Sequence, residues 1–355
     1  MNIDRHATNK RRLAELLYRL SESDGSDIDD TLAAFCASDT LWRVFHPFND
    51  LHGNEHAAAR LWAPLRQAFP DWEARMAFFV AGEYEGRDVV STWGVLMGNL
   101  AAPWLGIAPT HGLCALRLGI NAVFREGRIV KVYVLLDVID LMRQAGYYPL
   151  RRMPGSAEAW AFPPCDSGAS ASTVDASLGA VTLTAVREMQ LGLAKGDELK
   201  NLSGIRSKHS PHWHKNMMWY GPAGIGSSRG QKGFLDYHGA LFIQAFPDRE
   251  GIVRDHSGPE DAPGHYIRCG DGHFAVTAGW PSLVGTHLGG QWLGLAPSGK
   301  RVEMRVADWY RTDRDGKIID NWVMIDLLHI LDQVGLDVLD DLRYIVDPAL
   351  NRWPG

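Results

Sequence analysis

The chain repeats itself, and that repeat constrains the fold more than any other feature. LRQAFPDWE (65–73) returns as IQAFPDRE (243–250), with Pro70 and Pro247 177 positions apart. The same offset pairs Trp42 with Trp219 and Gly53 with Gly230. WLGIAP (104–109) returns as WLGLAP (292–297) at an offset of 188, and Asp137 with Asp326, Gln144 with Gln333 and Gly146 with Gly335 at 189. The offset grows by about a dozen residues, so the extra residues of the second copy fall in loops, chiefly DHSGPEDAPGH (255–265). A chain of 355 residues is long enough for about two ordinary domains. FPPCDSGASASTVDAS (162–177) has little to bury and reads as a flexible linker. The expected division is therefore a first copy over 1–160, a linker over 161–179 and a second copy over 180–355.

Each copy begins helical. RRLAELLYRL, VREMQLGLAKGDEL and GNEHAAARLWAPLRQAF place apolar residues at three- and four-residue steps, the last ending before Pro70. After the FPD segment the pattern shortens to β-branched and aromatic runs, HFAVTAGW, KRVEMRVADWYRT and GKIIDNWVMI, separated by turns such as DRDGK. Helices first and hairpins afterwards predict an α+β domain, with helices packed on one face of a curved antiparallel sheet.

Composition removes several classes of function. A formal net charge of −6 gives no basic footprint for neutralising phosphates, so nucleic acid is not an expected partner. The N-terminus MNIDRHATNKRRLAELLYRL lacks the apolar core of a signal peptide, and no stretch reaches the roughly 20 apolar residues of a membrane span. A cytoplasmic protein is the expectation. Cys36, Cys114, Cys165 and Cys269 are isolated and read as ordinary thiols, with no disulfide framework or structural zinc site. There is no phosphate loop and no GxGxxG turn.

AFPD, GTH followed by WLGLAPSGK, YRTDRDGKIIDNW and IDLLHILDQVG occur in an order that resembles the SnoaL-like polyketide cyclases, of the nuclear-transport-factor-like, cystatin-like α+β superfamily. The resemblance covers most of each copy. It implies a cone in each, made of one strongly bent sheet wrapped round helices, with an apolar pocket inside. It further implies acid/base chemistry on a hydrophobic, polyketide-like carbonyl compound, a ring closure or isomerisation that uses neither metal nor organic cofactor. On this reading the acid/base is an Asp near the end of the last long strand, at Asp326 and Asp137. The His of GTH maps onto His287, and a polar position before the first turn maps onto His46. Since members of the superfamily often dimerise through the sheet, the two copies are expected to pack as an internal pseudo-dimer, with a further homodimer open.

The copies also depart from that pattern. The first reads GNLAAPWLG where the second reads GTHLGGQWLG, and so lacks a counterpart of His287; the second has Ala223 opposite His46. Neither carries the family's Arg in the strand before GTH, since these read VVSTWG and AVTAGW.

Asp326 interrupts the apolar run NWVMIDLLHILDQVG, where a lone charge is costly. With residues 318–326 as a strand, Trp322, Met324 and Asp326 share one face, and the carboxyl would look into an apolar cavity that raises its pKa towards neutrality. The other explanation is a helix from Leu327 with Gly335 past its end, capped by Asp326 through the first free amides. The same two readings apply to Asp137. Among the 13 Trp, Trp42, Trp104, Trp219, Trp280, Trp292 and Trp322 are the best placed to line an aromatic site or to fill the core. In HSPHWH (209–214), His212 and His214 would share a strand face. A third metal ligand is not evident, which favours a polar pocket wall over a metal site. A tandem module that binds a small hydrophobic ligand without chemistry is the alternative function.

Overall fold

A computed structural model of the chain describes residues 2–151, 153–163, 171–194, 211–251, 264–265, 267–288 and 292–346. Each half is α+β, and each builds its own sheet. The first sheet runs in the order β2 (Asn49–His52), β1 (Cys36–Val44), β6 (Arg128–Leu136), β5 (Leu113–Arg125), β4 (Arg87–Asn99), β3 (Glu73–Tyr84). The second repeats it as β8 (Ser228–Arg229), β7 (Trp213–Tyr220), β13 (Ile318–Ile325), β12 (Arg301–Thr312), β11 (Phe274–Thr286), β10 (Ile267–Asp271). A short strand β9 (Glu250–Gly251) also pairs with β11.

The expected antiparallel sheets are mixed. β1 pairs with β6, and β7 with β13, in parallel. The first strand of each copy returns beside the last only after a long crossover, and such a connection is what parallel pairing needs.

Helices cover the concave side of each sheet. Asn2–Glu22 and Ile28–Phe35 serve the first copy and Ala176–Ala194 the second, followed in each by a helical stretch at 54–68 or 230–245. Both of those stretches contain a π turn at the same register, Ala58–Trp62 and Leu235–Gly239. No helix of the described residues is long and apolar enough to cross a membrane. Cys36, Cys114 and Cys269 are free and buried, and Cys165 lies outside the described residues.

The convex faces of the two sheets pack on each other. Phe78 of β3 meets Phe274 at 4.3 Å, Trp93 of β4 meets Trp322 at 5.3 Å, and Trp309 Nε1 donates to Ser91 Oγ at 2.8 Å. The sheets come so close at Gly119 that a Cβ there would lie 2.4 Å from the Trp309 ring, which explains the glycine.

The segment expected to be a free linker over 161–179 is docked at its described ends. Trp322 Nε1 donates to the Ala161 carbonyl at 3.0 Å, the Phe162 ring lies 5.3 Å from Trp93, and the next helix already begins at Ala176. These contacts hold 161–162 against the seam between the sheets, while Phe162 itself stays exposed.

Candidate active site

The repeated Asp residues occupy equivalent corners. Asp137 caps the helix Val138–Gln144 by accepting from the Asp140 amide at 3.2 Å, and Asp326 caps Leu327–Val334 by accepting from the His329 amide at 3.2 Å. The second helix ends on Gly335 in the left-handed conformation (φ 98). Each carboxylate is also bound by an Arg of its own copy, Arg117 to Asp137 at 2.9 Å and Arg305 to Asp326 at 3.1 Å. Each then reaches into the other copy. Asp326 accepts from the His46 amide, and Asp137 from the Ala223 amide, both at 2.9 Å. His46 and Ala223 are themselves 177 positions apart, so one bond is repeated with the copies exchanged. Burial pushes both carboxyls up, Asp137 to about 6, against the pull of Arg117 and Arg305 and of the amides.

Asp326 and Asp137 are thus locked into the contact between the copies and do not line the cavity described below. The face assigned to Asp326 is the reason. Trp322 and Met324, on its side of β13, pack against Trp93 and near Gly119 of the other sheet, while Asn321, Val323 and Ile325 look inward. Both faces of β13 are buried, one by each copy.

The inward residues line a cavity of about 180 Å³ inside the second cone. An engineered apolar void of roughly 150 Å³ holds benzene, so this one admits a ring-sized ligand. Its walls include Trp213, Trp219, Phe234, Phe242 and Trp292. β12 alternates, turning Met304, Val306, Asp308 and Tyr310 to the cavity.

Asp308 is the group that this arrangement singles out. Asn321 Nδ2 donates to its Oδ1 at 3.3 Å, and His265 Nδ1 lies 3.2 Å from Oδ2, off the line of a hydrogen bond. Among the described residues no Lys or Arg pairs with it. Burial therefore pushes its carboxyl up to about 7, with only the Asn321 and Tyr310 hydrogen bonds opposing. His265 is held neutral, pushed down to about 4 by burial and by the nearby Arg268. Behind them Gln190 Nε2 donates to Thr277 Oγ1 at 2.8 Å and to Tyr310 Oη at 3.3 Å. His238 stacks on Trp219 at 4.4 Å, and burial lowers it to about 3, so it is a neutral wall.

Of the residues predicted from sequence, Trp219 and Trp292 line the cavity. His287 does not: it is buried behind Phe246, and its Nδ1 accepts from the Ser298 amide at 3.3 Å. His46 lies at the contact between copies, its ring 6.3 Å from that of His329. Trp42 and Trp104 are core of the first copy, packed on Trp62 and on Phe45. Trp280 lies between Tyr133 and Arg305 at the seam, and Trp322 stacks on Tyr220 there. Trp213 faces the cavity, so His212 and His214, its neighbours in sequence, turn the other way; His212 lies 3.8 Å from Glu188. His209 is outside the described residues. No group of three or more His, Cys, Asp or Glu among the described residues is placed to hold a metal.

The sequence reading passed over Asp308, Asn321, Tyr310 and His265, and with them Arg117 and Arg305. A signal for the first three was available, since the first copy has Ile120, Val132 and Ala122 at their positions.

Residues 276–334 match the model of the SnoaL-like polyketide cyclase family. Among solved structures, the chain is similar to a putative SnoaL-like polyketide cyclase from Jannaschia sp. CCS1 (18% identity, 39% of this chain and 90% of that one, TM-score 0.32). It is also similar to IdmH, a putative polyketide cyclase from Streptomyces antibioticus (21%, 39% and 98%, TM-score 0.33). A third is a putative polyketide cyclase from Acidithiobacillus ferrooxidans (17%, 39% and 94%, TM-score 0.33). No curated protein matches the chain. The matched segment runs from β11 to the helix after β13 and holds both the cavity's Asp308 and the capping Asp326.

Proposed function

We propose that the second copy is an acid/base enzyme site for a hydrophobic, polyketide-like carbonyl compound, with Asp308 in the role first assigned to Asp326. The observation that supports this is a carboxyl brought to about 7 inside an aromatic cavity, with no Lys or Arg among the described residues paired to it. At neutral pH such a group is about half base and half acid, which suits removal and return of one proton.

The Asp308 carboxylate takes a proton from the carbon next to a substrate carbonyl, leaving an enolate. The Asn321 amide or Tyr310 hydroxyl donates to the enolate oxygen. For isomerisation, Asp308 returns the proton to another carbon. For ring closure, the enolate carbon bonds to a second carbonyl carbon of the same molecule, and Asp308 gives its proton to the alkoxide so formed. The walls hold the flexible substrate in a cyclising conformation.

Exchange of the α-protons of 2-tetralone in D2O, followed by NMR, tests the first step. The wild-type protein is expected to accelerate exchange, and Asp308→Asn to return it to background. Equal rates for the two proteins would refute the role of Asp308. A second reading, a binding module without chemistry, is favoured by the way the polar groups satisfy one another: Asn321 on Asp308, and Gln190 on Thr277 and Tyr310. Binding of 2-tetralone by the wild-type protein with no accelerated exchange would support it.

A further inference from the structure

Among the described residues, one Lys or Arg lines the cavity, and no carboxylate pairs with it. Arg249 is half-buried, and among the described residues its guanidinium makes a single long contact, Nη1 to the Phe246 carbonyl at 3.4 Å. A guanidinium carries five N–H donors, so most of those of Arg249 are left to solvent or to a ligand.

Its acidic neighbours in sequence are committed elsewhere. Asp248 accepts from the Thr286 amide at 2.8 Å and from its hydroxyl at 2.7 Å, and Arg301 lies 3.5 Å from both Asp248 and Glu250. Glu250 begins β9 facing solvent and Arg301; strand alternation therefore turns Arg249, one residue earlier, inward. Asp308 does not pair with it either: among the described residues its carboxyl oxygens meet the side chains of Asn321, at 3.3 Å, and His265, at 3.2 Å. The cavity thus has a carboxyl at one place and, at another, a guanidinium that pairs with no carboxylate among the described residues. The first copy keeps neither, with Trp72 at the position of Arg249 and Ile120 at that of Asp308.

We infer that the ligand of this cavity carries one carboxylate, which Arg249 holds while the ring system lies among Trp213, Trp219 and Trp292. This rests on the reading of the cavity as the binding site. A single guanidinium matches the two oxygens of a carboxylate, as a planar fork with one unit of charge. A phosphate would bring a second charge and a third oxygen into an aromatic cavity that offers no second Lys or Arg among the described residues. The carboxylate also fixes which end of the substrate reaches Asp308, and so sets which carbon loses its proton.

The test compares 2-naphthoate with neutral, nearly isosteric 2-naphthamide at pH 6, by quenching of the cavity tryptophans or by calorimetry. Wild type is expected to bind the naphthoate about 10-fold tighter or more, the range of a hydrogen bond to a charged group. Arg249→Met should abolish that preference while leaving naphthamide affinity within about 2-fold. Arg249→Lys, which keeps the charge and loses the fork, should retain part of it. Equal binding of the two compounds by wild type, or a preference that survives Arg249→Met, overturns the inference and leaves the cavity as a site. Binding of neither compound by a folded wild-type protein overturns both.

Discussion

The two cones share a frame and differ in what fills them. In the first, Trp62 packs between Trp42 and Trp72, at 6.2 and 6.3 Å, and Ile120, Ala122 and Val132 are buried beneath. In the second, Gly239 replaces Trp62 at the end of the same π turn and Arg249 replaces Trp72 just before the next strand. Asp308, Tyr310 and Asn321 replace the three apolar residues. Two large rings are thereby removed and a polar set is introduced, which opens the cavity and furnishes it at once. The frame is held equal in both copies: an Asp cap, its Arg, and an amide from the other copy. Gln144 and Gln333 repeat too, each bonding both backbone groups of one residue, Ala115 or Glu303, at 2.8–3.0 Å. What is kept twice holds the two copies together, and what differs lines the cavity.

The comparison can be broken first by emptying the filled cone. Trp62→Gly should cost roughly 3–5 kcal/mol of stability in denaturant unfolding, because a buried ring leaves a void that the cone cannot close. A loss below about 1 kcal/mol would show that the first cone is not packed as described.

Next in size come the caps. Asp137→Ala and Asp326→Ala each take the capping carboxylate from two amides and from an Arg, buried at Arg117 and half-buried at Arg305, with an expected loss of about 3 kcal/mol by the same measurement. The two losses should be similar, and ligand affinity per folded molecule should be unchanged. A loss confined to Asp326→Ala would contradict the equivalence of the corners.

Asp308 should act in the opposite direction. Its folded pKa, about 7, lies above the unfolded value, so the folded state binds more protons between roughly pH 4 and 7 and stability falls as pH rises through that window. Asp308→Asn should therefore stabilise the protein at pH 8, on the order of 2–4 kcal/mol at most, and change little at pH 4. Unfolding curves at the two pH values check this, and a destabilised variant at pH 8 would mean that Asp308 is a structural group.

Gly239→Trp, which copies the first cone into the second, should shift stability by about 1 kcal/mol or less, because removing a helical glycine offsets part of any crowding. It should abolish binding of 2-naphthamide. Retained binding would place the ligand elsewhere.

Much of the fold was legible in the sequence, for identifiable reasons. The repeat established two copies, and within each the three- and four-residue spacing marked helices that the structure contains. Asp326 and Gly335 bracketed a helix correctly because capping is a local property of a few residues. The site was legible only in part. Alternation places residues 321, 323 and 325 opposite 322, 324 and 326, but says which set faces the cavity only if one face is wet. Here Trp322 and Met324 are buried by the other sheet, so the wrong set looked equally suitable. Asp308 was obscured within VADWYRT by its aromatic neighbours. It becomes conspicuous only when set beside Ile120, because two copies of one fold show which core position has been given a charge. His265 carried no such signal, since it lies in an insertion of the second copy.

The central claim is that the chemistry belongs to Asp308 and not to Asp326. The most direct measurement is the rate of 2-tetralone α-proton exchange, per folded molecule, in Asp308→Asn and Asp326→Asn side by side. Asp308→Asn should lose about 100-fold or more, and Asp326→Asn should stay within a few-fold of wild type. Exchange that survives in Asp308→Asn and vanishes in Asp326→Asn would contradict the claim.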